Sequence, residues 1–461
     1  MPDIERATAA LRRALAPDRV LTEPEDMLVY SYDGTWVVGR PQIVVTPLNT
    51  QEVAAVVRVA SDEEIPIVPR GAASGLAGGA VPLFGGIVVN LTRMNRIIDI
   101  DKVNMTVITE PGVVTATLQA AVEREGLFYP PDPASLRQST IGGNVATSAG
   151  GPRCLKYGVT RDYVLGLEAV LPSGEIVRTG ALTAKNVTGY DLTHLFVGSE
   201  GTLGLVTEAT LRLIPLPRAR RTVMADFTDV STAANAVTDV LSAGIVPCAM
   251  ELMDNTTIKL VEEYNHAGLN QEAGALLLVE VDGEDEVVPR QADEIATIFR
   301  DRATSVRQAR DQKEADTFWS ARRAVAAAFG QLRPNRLGED IAVPRSKIPE
   351  AIERIRDIGV EFDLTVAIFG HAGDGNLHPN ILVDLRNEDE TRRTLAAAEE
   401  IFKVAMELGG VLSGEHGIGV LKRDYLADNL HPQALAMMRA IKKTIDPKNI
   451  MNPGKVLAPE P

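Results

Sequence analysis

Cysteine, aromatic residues and long apolar runs are all scarce in this chain, and each shortage excludes something. The two cysteines, Cys154 and Cys248, form no Cys-x-x-Cys pair. Iron–sulfur ligation within the chain is therefore excluded, and no disulfide framework is available, which fits a reducing cytoplasm. Aromatics make up 4% of the 461 residues, so the cores must be built from Val, Leu, Ile and Ala. No stretch approaches the roughly eighteen apolar residues of a spanning helix. Met1 to Arg13 carries acidic residues early and has no apolar h-region, so no signal peptide is expected. The location this predicts is cytoplasmic, with any membrane association peripheral and through a partner at the inner face. Positive charge is also short: 47 Lys+Arg stand against 62 Asp+Glu, a net −15. That balance disfavours nucleic acid as a partner, and an anionic substrate would need local positive charge, which a metal ion could supply.

The length calls for two or three domains. Strand and helix signals alternate: strand-like Gln42–Val45, a helix over Glu52–Ser61 capped at Asn49-Thr50, and strand-like Ile65–Val68 make a short βαβ unit. Ile87–Asn90, Thr106–Glu110 and Leu203–Ile214 read as strands, Thr115–Arg124 as a helix stopped by Gly126. Leu165–Leu171 and Glu175–Arg178 flank a Pro172-Ser173-Gly174 turn. Pro215-Leu216-Pro217, with basic residues to Arg221, reads as a linker. Beyond it strands (Thr222–Phe227, Val246–Met253, Ala275–Val281) alternate with helices (Val230–Ala243, about Glu284–Arg302, Ala315 to about Leu332), which suggests a sheet with helices on one face. Pro432–Ile445 is a last helix.

Two of the six histidines flank an Asp-Gly turn in Gly370-His371-Ala372-Gly373-Asp374-Gly375-Asn376-Leu377-His378. With Asp374-Gly375 as central turn residues of a hairpin, His371 pairs directly with His378, and both imidazoles stand on one face. Asn380 points the same way as His378, because strand side chains alternate with period 2. Downstream, Ser413-Gly414-Glu415-His416-Gly417 offers a carboxylate and a further imidazole. His371, His378 and Glu415 would form a His₂-carboxylate site with open positions, a set that suits zinc first, and also manganese or iron(II). His416 is left as a base beside the metal. The bland alternative is a solvated hairpin with polar tips, and the meeting of the two stretches in space is an assumption.

Three separated stretches are rich in small residues. Pro69-Arg70-Gly71-Ala72-Ala73-Ser74-Gly75 follows a strand, and its amides can form an anion nest suited to a pyrophosphate; its spacing is neither Gly-x-Gly-x-x-Gly nor a Walker loop. Asp132 to Gly151 and Gly198 to Val206 are the others. Each alone could be turn chemistry, and together they call for a long ligand.

These loops resemble those of the FAD-linked oxidases of the vanillyl-alcohol oxidase and p-cresol methylhydroxylase (PCMH) type. The C-terminal half is similar to the branch that holds glycolate oxidase flavin subunits, D-lactate dehydrogenases and D-2-hydroxyglutarate dehydrogenases. The resemblance implies an α+β architecture: a two-subdomain PCMH-type FAD-binding domain over 1–217 (core about 36–217), an α/β cap or substrate domain over 218–420, and a segment 421–461 returning to the FAD domain. It implies that the loop from Pro69, Arg70, Gly71, Ala72, Ala73 and Ser74 to Gly75 holds the pyrophosphate. Asp132, Ser135, Ile141, Gly142, Asn144, Thr147, Ser148 and Gly151 would line the flavin. Glu200, Gly201, Val206 and the tail residue Asn452 would add contacts. Covalent relatives carry a histidine in the glycine loop; Ala72, Ala73 and Ser74 stand here, so FAD is expected to be non-covalent.

The activity implied is oxidation of a small 2-hydroxy acid to the 2-oxo acid by hydride transfer to flavin N5, with His416 as base, Arg322 as carboxylate clamp and Asn380 as hydrogen-bond donor. Ala326-Ala327-Ala328 and Gly338 stand where the 2-hydroxyglutarate branch has polar residues, which favours glycolate or D-lactate over D-2-hydroxyglutarate. A redox-neutral transferase of the alkyl-dihydroxyacetone-phosphate synthase type and a flavin-free metallohydrolase are the alternatives of other classes. No internal iron–sulfur or haem motif exists to carry electrons onward, so an acceptor protein or quinone-linked subunit, an iron–sulfur subunit among the candidates, is expected, in a homodimer or a hetero-complex.

Overall fold

Asn49 accepts the Glu52 N–H at 3.0 Å and so starts a helix between two short apolar strands. The computed structural model describes residues 3–183 and 185–459. In it β1 (Ile43–Val45), α1 (Thr50–Glu63) and β2 (Ile67–Arg70) form the expected parallel unit, but β3 (Ile87–Asn90) lies between the two strands and pairs with both. Val53, Val56, Val57 and Ala60 of α1 pack on Ile43, Val45, Ile67, Ile87 and Val89. The alternate residues Val44, Val68 and Val88 face the other side, the period-2 pattern of a sheet covered on both faces. The free edge of β2 is closed by the tail: Ile67 N–H donates to Ile450 O at 2.7 Å, and Asn452 N–H to Ile67 O at 2.8 Å.

A second, antiparallel sheet runs in the order Ile97–Asp101, Thr106–Thr109, Leu205–Arg212, Val164–Val170, Ile176–Gly180. The short helix α2 (Ile141–Thr147) begins at Thr140, whose side chain accepts the Gly143 N–H, and ends at Ser148 in the left-handed region at φ 52°. These sheets belong to one compact unit made of residues 1–150, 159–216 and 415–461.

The other unit holds 151–158 and 217–414. Expected boundaries thus shift: Gly151–Gly158 groups with the second unit, and the returning segment starts at Glu415 rather than at 421. The basic stretch read as linker is already strand. Its sheet contains β4 (Ala219–Phe227), β5 (Ala249–Asp254), β6 (Ala275–Gly283) and β7 (Ser305–Gln308). After the helix α3 (Gln312–Leu332) come β8 (Asn335–Gly338), β9 (Thr365–His371) and β10 (Asn376–Val383). The order is β7-β4-β6-β5-β9-β10-β8, antiparallel throughout, and Ile341–Ala342 also pairs with β10. Helix α3 and helix Asn255–Asn265 pack on one face through Phe318, Ala321, Val325, Ile258 and Val261. Consecutive residues along β5 and β10 are all buried. Both faces are therefore covered, which corrects the expectation of helices on one face only.

Candidate functional site

The first unit encloses a cleft with about 1420 Å³ of empty space, open solvent included. Its lining draws on three separated stretches, Pro69 to Ala80, Pro133 to Gly150 and Ser199 to Val206, the reach of an extended ligand. Of the residues expected at the cofactor, Pro69 to Gly75, Ser135, Gly142, Asn144, Thr147, Glu200, Gly201 and Val206 line this cleft, and so do Glu415 and His416. Asp132, Ile141, Ser148 and Asn452 lie outside the lining, and Gly151 falls in the other unit. Ile141 is a fully buried core residue. The resemblance placed it among the flavin residues; with its side chain in the core, only its main chain is left to face a ligand.

The lining is backbone and small side chains, the surface a flat dinucleotide requires. A Cβ on Gly142 would meet Pro111 Cβ at 2.5 Å, one on Gly201 Pro69 Cγ at 2.3 Å, and one on Gly71 Thr140 Oγ1 at 2.3 Å. Several side chains expected at the cofactor are engaged within the protein instead. The Arg70 guanidinium donates to Tyr32 O at 2.7 Å and Val29 O at 3.3 Å; it lies over the Tyr30 ring, and burial pulls its pKa down. Glu200 is buried, and burial pushes its pKa up. Its carboxylate accepts from Ile418 N–H at 2.7 Å and Gly419 N–H at 2.9 Å, fixing the glycine stretch just after His416. Asn452 donates to Gly79 O at 3.0 Å and Glu200 O at 2.7 Å. Lys455, in the same tail, donates to Val81 O at 2.6 Å, and burial holds its pKa down to about 8.

In the second unit the hairpin exists, with a different register. His371 pairs with Asn376 and Phe369 with His378, so the His371–His378 pairing expected from a two-residue turn is replaced by a diagonal one. The loop takes four residues, Ala372 to Gly375, and His371 O accepts the N–H of both Asp374 (3.3 Å) and Gly375 (3.1 Å). A shift of two residues keeps both histidines on one face, and their Nε2 atoms stand 3.4 Å apart. Two nitrogens bound to a tetrahedral zinc at about 2.0–2.1 Å each would stand roughly 3.3–3.4 Å apart. The donor pair fits a metal.

Around this pair is a polar shell, of which Glu251 and Asp340 were absent from the sequence reading. Glu251 lies opposite His371 in register; its Oε1 is 2.6 Å from His371 Nδ1, and its Oε2 accepts from Arg322 Nε at 2.6 Å. Burial opposes the charge on Glu251, but His371 and Arg322 outweigh it and hold its pKa below the usual range. A carboxylate on Nδ1 selects the tautomer that leaves Nε2 as the lone-pair nitrogen. Asp340, fully buried, lies 3.8 Å from His378 Nδ1 and accepts from Asn376 Nδ2 at 2.7 Å and Ser413 Oγ at 2.6 Å. Arg322, expected as a clamp, is thus engaged by Glu251 and lies over the Phe369 ring at 4.5 Å. Asn380 donates to His378 O at 2.8 Å and accepts from Arg336 Nη1 at 2.9 Å. Glu251 did leave a trace: it is a lone carboxylate inside the apolar run Ala249-Met250-Glu251-Leu252-Met253.

The fold and the backbone-lined cleft define the class, a FAD-dependent oxidoreductase of PCMH-type architecture. The solved structure of p-cresol methylhydroxylase with substrate bound superposes with a TM-score of 0.83 at 18% identity, covering 98% of this chain and 97% of that one. Residues 41–180 match the FAD binding domain family. Residues 216–456 match the family described as FAD linked oxidases, C-terminal domain, and the chain belongs to that family. Glycolate oxidase subunit GlcD of Bacillus subtilis (strain 168) is 47% identical over 433 residues, 94% of this chain and 92% of that protein. D-lactate dehydrogenase of Anaerostipes hadrus is 38% identical over 458 residues, 96% of each.

Proposed function

We propose that this protein oxidises a small 2-hydroxy acid, glycolate or D-lactate, to the 2-oxo acid, using non-covalent FAD and a divalent metal held by His371, His378 and Glu415. The single observation that carries the metal is the pair of ring nitrogens 3.4 Å apart, one of them oriented by a buried carboxylate. Glu415 follows Gly414 in the chain, and Gly414 lies against Asn376 of the hairpin, where a Cβ would stand 2.3 Å from Nδ2. The names of the relatives support the substrate class.

Bound FAD supplies a two-electron acceptor for the hydride on the substrate Cα. A divalent cation supplies a Lewis acid that lowers the pKa of the α-hydroxyl. The remaining work belongs to the chain. The loop Pro69 to Gly75 and the small residues of α2 hold the dinucleotide by main-chain contacts. Glu251 keeps His371 in its ligating tautomer, and Arg322 balances the charge of Glu251. His416, which lines the cleft, takes the proton from the substrate hydroxyl oxygen; imidazole suits this because its ordinary pKa lies near neutrality. Asn380 orients the bound acid.

Electrons must leave through something outside this chain. The word subunit in the name of the Bacillus subtilis relative supports a complex, with an iron–sulfur or quinone-linked protein as acceptor. Among the described residues no helix is long and apolar enough to cross a membrane.

The test is anaerobic mixing of the yellow protein with a panel of D- and L-2-hydroxy acids. Glycolate or D-lactate should bleach the flavin, and chelation should slow this. H416A should keep its flavin yet bleach about 10²–10⁴-fold more slowly; bleaching at the normal rate in that variant refutes the base.

A further inference from the structure

Glu200 is buried in the wall of the cleft that His416 also lines, and its carboxylate is taken up by the loop that carries His416. Oε1 accepts from Ile418 N–H at 2.7 Å and from Gly419 N–H at 3.2 Å, and Oε2 accepts from Gly419 N–H at 2.9 Å. Successive main-chain N–H groups that converge on one anion form a nest. Such charge-assisted bonds are stronger than neutral ones, and without them a buried carboxylate would be costly. The loop is shaped to make them. Gly417 and Gly419 lie in the left-handed region, at φ 89° and 49°. A Cβ on Gly417 would stand 2.8 Å from Glu200 Oε1, and one on Gly419 would stand 2.0 Å from Ala77 O.

The main chain of Glu200 is fixed on the opposite side. Its N–H donates to Ala146 O of α2 at 2.8 Å, and its O accepts from Asn452 Nδ2 at 2.7 Å. Its φ of 51° is strained for a residue with a Cβ and persists only where the surroundings hold it. Helix α2 itself lines the cleft through Gly142, Asn144 and Thr147. One side chain thus spans from this wall to Ile418, two residues beyond His416.

We infer that Glu200 is the positioning residue for His416: its carboxylate sets the loop that presents the imidazole to the cleft. The inference rests on the reading of His416 as the base and adds the group that aims it. Glutamine is no substitute despite its equal size. Both oxygens of Glu200 face N–H donors, so the amide NH₂ of Gln would meet one of them donor to donor.

The experiment uses the holoprotein and the variants E200Q, G417A and H416A, with E200Q and G417A also made in the H416A background. FAD content and dissociation are read by fluorescence, and anaerobic bleaching by D-lactate and glycolate is followed against substrate concentration. Hydrogen exchange of the peptide that holds Ile418 and Gly419 reads the nest without turnover, and E200Q should speed it by about tenfold or more. A misplaced base of roughly 1 Å should lower the limiting bleaching rate of E200Q about 10–100-fold, with half-saturating substrate within about threefold of wild type. In the H416A background the same substitution should change the rate by less than about threefold, because the group it aims is gone. G417A crowds the carboxylate from the loop side and should give the same pattern; if E200Q fails to fold or to hold flavin, G417A decides. A loss in the H416A background as large as in wild type makes Glu200 a general support of the cleft and overturns the assignment, as does a wild-type bleaching rate in E200Q. If H416A alone bleaches at the normal rate, the base reading falls and the assignment with it.

Discussion

Glu251 shows how much a single buried carboxylate can organise. It is fully buried, and it touches a histidine with one oxygen and an arginine with the other. Replacing it by Gln keeps the volume and removes the charge that fixes the tautomer of His371. Partners of this kind typically contribute 10–100-fold to metal affinity. E251Q is therefore expected to bind zinc about 10–100-fold more weakly while retaining its flavin; calorimetric metal titration checks this, and unchanged zinc affinity would mean that His371 needs no orientation. At this scale the sequence offered the candidate ligands and hid the residues around them. His371, His378, Glu415 and His416 sit in two short glycine-rich motifs, visible in one dimension. Glu251 and Arg336 come from other strands and Asp340 from the link after β8, and no local spacing marks them as neighbours of the hairpin.

Among the elements, the hairpin of β9 and β10 was legible as a hairpin and misread in register. Asp374-Gly375 marks a turn, but the loop also takes in Ala372 and Gly373, so every pairing slips by two. The error was harmless to the site because an even slip returns each side chain to its own face. Gly375 explains why the loop is built as it is. Its φ is +90°, and a Cβ there would stand 2.1 Å from Val343 O. G375A should destabilise the protein by about 1–3 kcal/mol, seen as a lower thermal midpoint, and should weaken metal binding because His371 O is bonded to the Gly375 N–H. A midpoint within error of wild type would show that the loop can rearrange freely. Three helix starts, Thr115, Val230 and Pro432, fall where the sequence put them. Helix α3 begins at Gln312, three residues before the expected Ala315, because Asp311 caps it by accepting the Glu314 N–H at 2.9 Å. That capping signal was present in the sequence and weaker to the eye than the apolar spacing.

At the level of the whole molecule, stability should depend on pH through a lysine close to the C-terminus. Lys455 has a folded pKa held down to about 8 by burial, against an ordinary 10.5. Between those values the unfolded chain binds more protons than the folded one, so the stability of the fold rises with pH across that window and bears the full cost below it. The total is about 3 kcal/mol. K455M should lose this rise, and denaturant unfolding of both proteins from pH 7.5 to 10.5 would measure it; parallel curves would place the charge of Lys455 in water.

The chain order was only partly foreseeable from composition. A Pro-rich stretch marked the passage near Leu216, but nothing in the sequence marked Gly151–Gly158 as part of the second unit, because that assignment rests on packing alone. The side chain of Asn452 joins two loops, at Gly79 and Glu200, that are distant in the sequence from each other and from it. The two loops of the cleft are therefore joined by a residue made later than the whole of 217–414, and a chain cut short of Asn452 would leave its nucleotide pocket unstitched.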